Sequence, residues 1–392
     1  MVYFNTASLL RNAGYEVVFF SKRKEENLPC EQEEFFVEKA GKIEQISNYF
    51  YHKKAALQLE KLIAIEKPDI AHVHLIWGGL SPSVLEVLKK HRIPIVHTAH
   101  DYRMVCPAYL LKDKDGRFCE RCRDGKFYNC AVHRCSKGKI IESLFMTGEM
   151  YYRNHNFHPV DFIDGFIFVS NFSKNKHIEF DNRFKNVKTT VLYNCPGENV
   201  SESLDLHQDT FGSYYLFYGR LSEEKGIHTL LNAFEKFPQL SLKIVGTGPL
   251  EMKLMTIVQE KRLSNVELLG YKTGKELFDL VSKAKYVCVP SECYENNPMT
   301  IVEAYSLAIP VIGAAIGGIS EVVNDGQTGF LFNSGDIDSL VNAIGKTSSL
   351  DKSDYMLQKN DAYQFACDNF SRESHLKNLT SYYNEIINNY NG

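Results

Sequence analysis

The chain has 392 residues, a formal net charge of −3, 44% hydrophobic residues and 24% charged residues. That balance gives no general attraction to nucleic acid, and no run of about 18 apolar residues offers a membrane-spanning helix. The length suffices for two domains with cores of their own; ten cysteines behind a start without signal-peptide character lead us to expect a cytoplasmic chain with thiols or a metal rather than disulfides.

Strand-like and helix-like stretches alternate along the whole chain, which predicts α/β layers built on parallel sheets. Tyr3 to Gly14 reads as an amphipathic helix leading into a strand at Glu16–Ser21. Further strands are predicted at Ile70–Leu75, Ile95–Thr98, Ile163–Ser170 and Lys188–Leu192. Helices fall between them, notably Ile43–Glu66 and Pro82–His91. The polar stretch Asn194 to Gly212 is the best domain boundary, and the alternation restarts at Tyr214. The tail, Ser371 to Asn388, reads as an amphipathic helix.

A cysteine-rich insertion occupies about 101–139, with Cys106, Cys119, Cys122, Cys130 and Cys135. Cys119-x2-Cys122 followed by Cys130-x4-Cys135 has the spacing of a structural four-thiolate zinc site, with His133 as a substitute ligand. Free thiols or one redox-active pair are the alternatives. From Lys112 to Lys139 nine Lys or Arg face four Asp or Glu. This loop is therefore a candidate for contact with an anionic membrane surface or a pyrophosphate-bearing acceptor, against the plainer reading of a solvated loop. Tyr49–Lys54 and Tyr102–Tyr109 are further candidates for the acceptor side.

Two motifs in the second half carry chemistry. The apolar strand Tyr214–Tyr218 runs into Gly219-Arg-Leu-Ser-Glu-Glu-Lys-Gly226 and then an apolar helix from Ile227. Glycine allows close backbone approach, and Arg220 with Lys225 puts two cations beside the turn, a pairing suited to a diphosphate. The second motif follows the apolar run Tyr286–Pro290. It is Ser291-Glu-Cys-Tyr-Glu-Asn-Asn-Pro-Met-Thr-Ile-Val-Glu303. Asn297 is a good N-cap and Pro298 a good first helical residue, so the free amides belong to Met299 and Thr300. They open a positive helix end where an anion binds well. Glu295 precedes that end and Glu303 lies about a turn and a half beyond it. A phosphate flanked by carboxylates that bind hydroxyls suits a sugar nucleotide. Taken singly, each motif also reads as a surface turn with solvated charges.

Together the motifs resemble the retaining glycosyltransferases of family 4, in which an E-x7-E pair and a G-R-x4-K-G loop stand in this order. The resemblance extends to Val245-Gly-Thr-Gly-Pro-Leu250, Val266–Gly270, Gly317–Glu321, Gly329–Leu331, His97-Thr-Ala-His-Asp101 and Val169-Ser-Asn171. It implies the GT-B fold, two Rossmann-like doubly wound domains facing across a cleft, with a C-terminal helix crossing back. The implied division is an acceptor-side domain at 1–193, a linker at 194–212, a nucleotide-sugar domain at 213–370 and a crossover helix at 371–392. Such chains normally begin with a strand and a glycine-rich loop ahead of the first helix. Neither is found here, and a shortened chain of an otherwise ordinary enzyme is expected.

The implied activity is transfer of a sugar from a UDP- or GDP-sugar to a hydroxyl of a saccharide or lipid-linked acceptor, with retention, in surface polysaccharide or lipopolysaccharide synthesis. No cofactor is implied for catalysis. Arg220, Lys225 and the amides of Met299 and Thr300 take the charge of the departing diphosphate. Glu295 holds the sugar, Glu303 the ribose, and Asn296 and Asn297 lie near the sugar. Gly219 allows close approach, while Gly270 and Tyr271 stand toward the base. His100, at the His-Asp step, contacts the donor sugar. The rival readings are a non-catalytic partner subunit and a GT-B sugar-nucleotide epimerase. Gly246-x-Gly248 lacks the third glycine of a dinucleotide fingerprint, which argues against an oxidoreductase.

Overall fold

The computed structural model describes residues 2–201 and 212–391, apart from 26, 28 and 137. The chain forms two compact units: Thr6–Leu192 with Leu376–Gly392, and Tyr193–His375 with Met1–Asn5. Most of the stretch read as a linker, 194–212, lies outside the described residues.

The first unit is built on four parallel strands in sequence order: β1 (Ala71–Val73), β2 (Ile95–Ala99), β3 (Gly165–Phe168) and β4 (Thr189–Val191). The central pair is buried along its whole length while the outer two are half-buried. Central strands covered on both faces tend to read as near-continuous apolar runs, as β3 does, while β2 buries His97 and Thr98 among its apolar residues. Part of that cover is the helix Arg372–Asn391, whose Leu379, Tyr382, Tyr383 and Ile386 pack on Val96 and Ile167. Gly165 makes the approach possible, since a Cβ there would stand 2.7 Å from Ile386 Cδ1.

Two expectations fail in this unit. Glu16–Ser21 forms no strand. The run buries Phe19, but among the described residues its only strand pairing is the isolated Lys22–Val37 bridge at its end. Its pattern describes burial, whereas a strand also needs a ladder partner along its length. The predicted helix Ile43–Glu66 is two helices, Lys42–Phe50 and Lys53–Glu66. His52 separates them. Its Nδ1 accepts from the Ala55 amide at 3.3 Å, capping the second helix, while its own amide donates to Ser81 Oγ at 2.9 Å.

The second unit holds six parallel strands: β5 (Tyr214–Tyr218), β6 (Leu242–Val245), β7 (Val266–Leu268), β8 (Ala284–Val289), β9 (Val311–Ala314) and β10 (Gly329–Phe332). Their spatial order is β10-β9-β8-β5-β6-β7. The chain winds outward from β5 to β7, then returns to the other side of β5 to lay down β8, β9 and β10. The crossover direction therefore reverses between β5 and β8, and the strand ends there open a crevice where open α/β sheets bind ligands. The core beneath is rich in tyrosine. Tyr286 donates to Gln358 Oε1 at 2.6 Å, Tyr355 to the Lys285 carbonyl at 2.8 Å and Tyr305 to Thr328 Oγ1 at 2.7 Å. Each ring fills the core while its hydroxyl stays bonded, which removes the penalty of burying a polar group.

Candidate functional site

The loops that leave β5 and β8 meet at this reversal point. After β5 the chain passes Gly219 and an exposed Arg220, makes a short 3-10 turn over Glu223–Lys225, and enters the helix Ile227–Phe234 through Gly226 at φ +68°. The Gly219 amide donates to the Val245 carbonyl at 3.0 Å and the Leu221 amide to the Thr247 carbonyl at 2.9 Å. The Glu292 amide donates to the Glu224 carbonyl at 2.9 Å, fixing the β5 loop to the β8 loop.

This junction brings Lys225 to Glu295, with Nζ to Oε1 at 2.6 Å. Ser291 Oγ donates to the same carboxylate oxygen at 2.9 Å, and the Gly318 amide holds the Glu295 carbonyl at 2.7 Å. Burial works against the Lys225 charge, but the Glu295 carboxylate, with Cys293 and Glu224, overcomes it and leaves the ammonium held above its ordinary pKa. The sequence set these two residues 70 positions apart with separate roles. In the protein they form one ion pair.

The helix after the β8 loop runs from Met299 to Ser306 with Pro298 in the extended N-cap position. Asn297 is not the cap. Its Oδ1 accepts from the Asn194 amide at 2.8 Å and its carbonyl from Asn194 Nδ2 at 2.8 Å, so the side chain is turned toward residue 194 instead. Its Nδ2 is buried without a hydrogen-bond partner among the described residues. The Ile301 and Val302 amides both donate to the Pro298 carbonyl. Met299 and Thr300 thus remain the first-turn amides at the positive helix end, one place nearer the cap than expected.

Glu303 sits inside that helix at 4% exposure. Burial pushes its carboxyl up to about 7, the Tyr218 hydroxyl acting the other way. Tyr218, the last residue of β5, also donates to the Thr300 carbonyl at 2.9 Å, so it links the strand end to the helix start. Asn296 is buried in the same loop. Gly270 follows β7 at φ +67°, with its carbonyl accepting from the Gly246 amide at 2.7 Å, and Tyr271 beyond it is 69% exposed.

His100 belongs to the first unit. It follows β2, and its Nε2 lies 2.8 Å from His74 Nδ1. Ser291, Tyr218, Asn194 and His74 escaped the sequence reading because each earns its place through a partner distant in the chain, and none carries a local motif.

Cys106, Cys119, Cys122 and Cys130 are buried free thiols and Cys135 is half-buried. Among the described residues no group of three or more His, Cys, Asp or Glu is arranged to hold a metal ion. Cys119 Sγ accepts from Arg121 Nη1 at 3.6 Å, and the Cys135 thiol is engaged with Cys130, which raises its pKa.

Residues 208–363 match the family model for glycosyl transferases group 1, and residues 1–126 match that for glycosyltransferase family 4. The two matches cover more than two thirds of the chain, and the chain belongs to this glycosyltransferase family. A Klebsiella pneumoniae protein described as an uncharacterized 42.6 kDa protein in the cps region is 28% identical over 69% of this chain and 64% of its own length. The O-antigen chain mannosyltransferase C of Escherichia coli is 32% identical over 36% of this chain and 38% of its own. The chain thus spans less than two thirds of the length of these relatives. Among solved structures, a sucrose-phosphate synthase from Thermosynechococcus elongatus is similar in fold, with a TM-score of 0.71 at 19% identity, covering 98% of this chain and 92% of that one. Anabaena HepE in complex with UDP gives a TM-score of 0.59 at 19% identity over 84% and 82%. The fold is that of the GT-B glycosyltransferases.

Proposed function

We propose that this chain transfers a sugar from a nucleoside-diphosphate sugar, UDP or GDP being the carrier, to a hydroxyl of a saccharide or lipid-linked acceptor, with retention at the anomeric carbon. The observation that carries the reading is the Lys225–Glu295 pair at the β5/β8 reversal, on the loop that leads into the helix Met299–Ser306. Breaking the anomeric C–O bond leaves negative charge on the diphosphate. Arg220, Lys225 and the two amides supply fixed positive charge and dipoles where it develops, the part a divalent cation would otherwise play. Glu295, already oriented by Lys225 and Ser291, takes sugar hydroxyls. Asn296 and Asn297 line the same side, Glu303 receives the ribose, and Gly219 lets the backbone approach the phosphates. Gly270 and Tyr271 stand toward the base, and His100 is assigned to the sugar. The O-antigen relative supports a surface-polysaccharide acceptor, and the UDP bound by HepE supports uridine as the base.

Binding across UDP-, GDP- and ADP-sugars tests the reading, and Glu303 gives it a pH signature. Its carboxyl ionises near 7 in the free protein. Ribose hydroxyls donate to the ionised form, so binding favours loss of the proton. Donor affinity should rise about tenfold from pH 6 to pH 8 and level off above that, while Glu303→Gln gives a flat, weaker profile. Stability of the free protein runs in the opposite sense. The raised pKa favours the protonated fold, a contribution complete below the ordinary carboxylate range and lost as pH rises through about 7. A wild-type profile as flat as that of Glu303→Gln removes Glu303 from the donor site.

The same reading places a lipid-linked acceptor at a membrane surface. No helix among the described residues is long and apolar enough to cross a membrane. The helix Ile140–Asn156 and the insertion before it nevertheless expose Ile141 at 79%, Val132 at 67%, Leu144 at 55% and Tyr128 at 53%. Lys126, Arg134 and Lys139 lie in the same segment. Apolar side chains between cations suit an anionic bilayer face. Co-sedimentation should show binding to anionic vesicles but not to zwitterionic ones, falling with salt. Ile141→Glu should weaken it roughly tenfold, from loss of one inserted side chain. Equal binding to both vesicle types would remove the electrostatic part.

A further inference from the structure

One face of the first unit's sheet carries a row of bonded side chains at the strand ends. His72 on β1 has Nε2 at 2.7 Å from Thr98 Oγ1 on β2 and Nδ1 at 2.6 Å from the Tyr383 hydroxyl of the C-terminal helix. The His74 ring lies beside it, centroid to centroid 4.3 Å. His74 Nδ1 in turn meets His100 Nε2 at 2.8 Å. We infer that His74 is a positioning residue for the transfer reaction, fixing the ring orientation and the tautomer with which His100 meets the donor sugar. The inference rests on the proposed sugar contact of His100.

The chemistry of the contact makes the link specific. Burial holds the His100 imidazole down to about 4 and that of His74 well below its ordinary value, so both rings are neutral at pH 7. Two neutral imidazoles joined nitrogen to nitrogen have one hydrogen in the bond. If His74 donates it, His100 carries its own hydrogen on Nδ1 and offers a donor there. If His100 donates from Nε2, its Nδ1 offers an acceptor. The bond to His74 thus decides which kind of hydrogen bond the other nitrogen of His100 can make. It also removes the two-fold freedom of the imidazole about χ2, which a side chain at a strand end otherwise keeps. His72 stands behind His74, held by Thr98 and by Tyr383, so the whole row is anchored to two strands and a helix.

Turnover and nitrogen chemical shifts of the full chain test this together. In protein labelled with 15N at histidine, His100 should show a single tautomer, and His74→Phe should give a mixture in a chain that remains folded by circular dichroism. His74→Phe should lower kcat/KM about tenfold. His74→Asn, whose side-chain amide reaches the place of Nδ1, should recover most of that loss, which a packing defect alone would not allow. Added to His100→Ala, His74→Phe should cost nothing further. Unchanged turnover in His100→Ala overturns the sugar-contact reading itself. A slow His100→Ala with a fast His74→Phe, with losses that add, or with one tautomer kept in His74→Phe, overturns the positioning role and leaves the sugar contact standing.

Discussion

Lys225→Ala should lower turnover of the nucleotide-sugar by about 10²–10³-fold, the loss seen when one preorganised group aimed at a developing negative charge is removed. That corresponds to roughly 2.7–4 kcal/mol of the barrier. The expectation follows from geometry. Lys225 is held 2.6 Å from Glu295 before any donor arrives, so its charge is in place and its side chain is already ordered. It stands at the crevice where the sheet reverses direction, paired with a carboxylate on the loop that leads into the helix Met299–Ser306. Removing it also leaves Glu295, 14% exposed, with the Ser291 hydroxyl but without its cation. A sugar-orienting carboxylate would then be free to shift, and affinity for the donor should fall with kcat. The clean comparison is Arg220→Ala, since Arg220 is exposed and its loss should leave stability within about 0.5 kcal/mol. Turnover of Lys225→Ala within threefold of wild type, at unchanged fold, would sink the assignment of Lys225 to the leaving group.

The second large effect is expected at a residue with no side chain. Gly226→Ala should destabilise the second unit by roughly 3 kcal/mol and weaken donor binding with it. A Cβ at this position would stand 1.8 Å from the Pro290 carbonyl oxygen and 2.9 Å from its carbon. Both are backbone atoms, so no rotamer change relieves the clash. The loops after β5 and β8 would have to separate, putting at risk the Glu292–Glu224 bond and the Lys225–Glu295 pair that depend on their closeness. The left-handed conformation adds its own cost of about 1–2 kcal/mol for any L-residue. Gly274 isolates that part. It has φ +55°, but a Cβ there meets nothing within 4 Å. Chemical denaturation of both variants separates the terms: Gly274→Ala should show the conformational cost alone. Equal losses in the two variants would mean that loop contact at Gly226 contributes nothing.

Much of this was legible in the chain. The buried strands of both sheets announced themselves as apolar runs, because parallel strands covered on both faces have no polar side to show. The glycine of the turn at 226 could be found for a similar reason: a tight turn restricts residue type locally. The misses share a cause as well. Glu16–Ser21 has the side-chain pattern of a strand, yet pairing belongs to the neighbour. Asn297 has the chemistry of a cap, but Asn194, 103 positions away, offers its oxygen another donor.

By itself, then, the sequence determined the alternation of elements, the parallel α/β class and the residue types in the loops after β5 and β8, because periodicity, turn chemistry and charge are properties of neighbours in the chain. Tertiary structure alone decided that Lys225 and Glu295 are one pair, that Tyr218 joins the Glu303 helix to β5, that burial lifts the Glu303 carboxyl to about 7, and that His100 stands against His74. Each of these depends on distance and solvent exclusion between segments, and the strand order β10-β9-β8-β5-β6-β7 is what sets those distances.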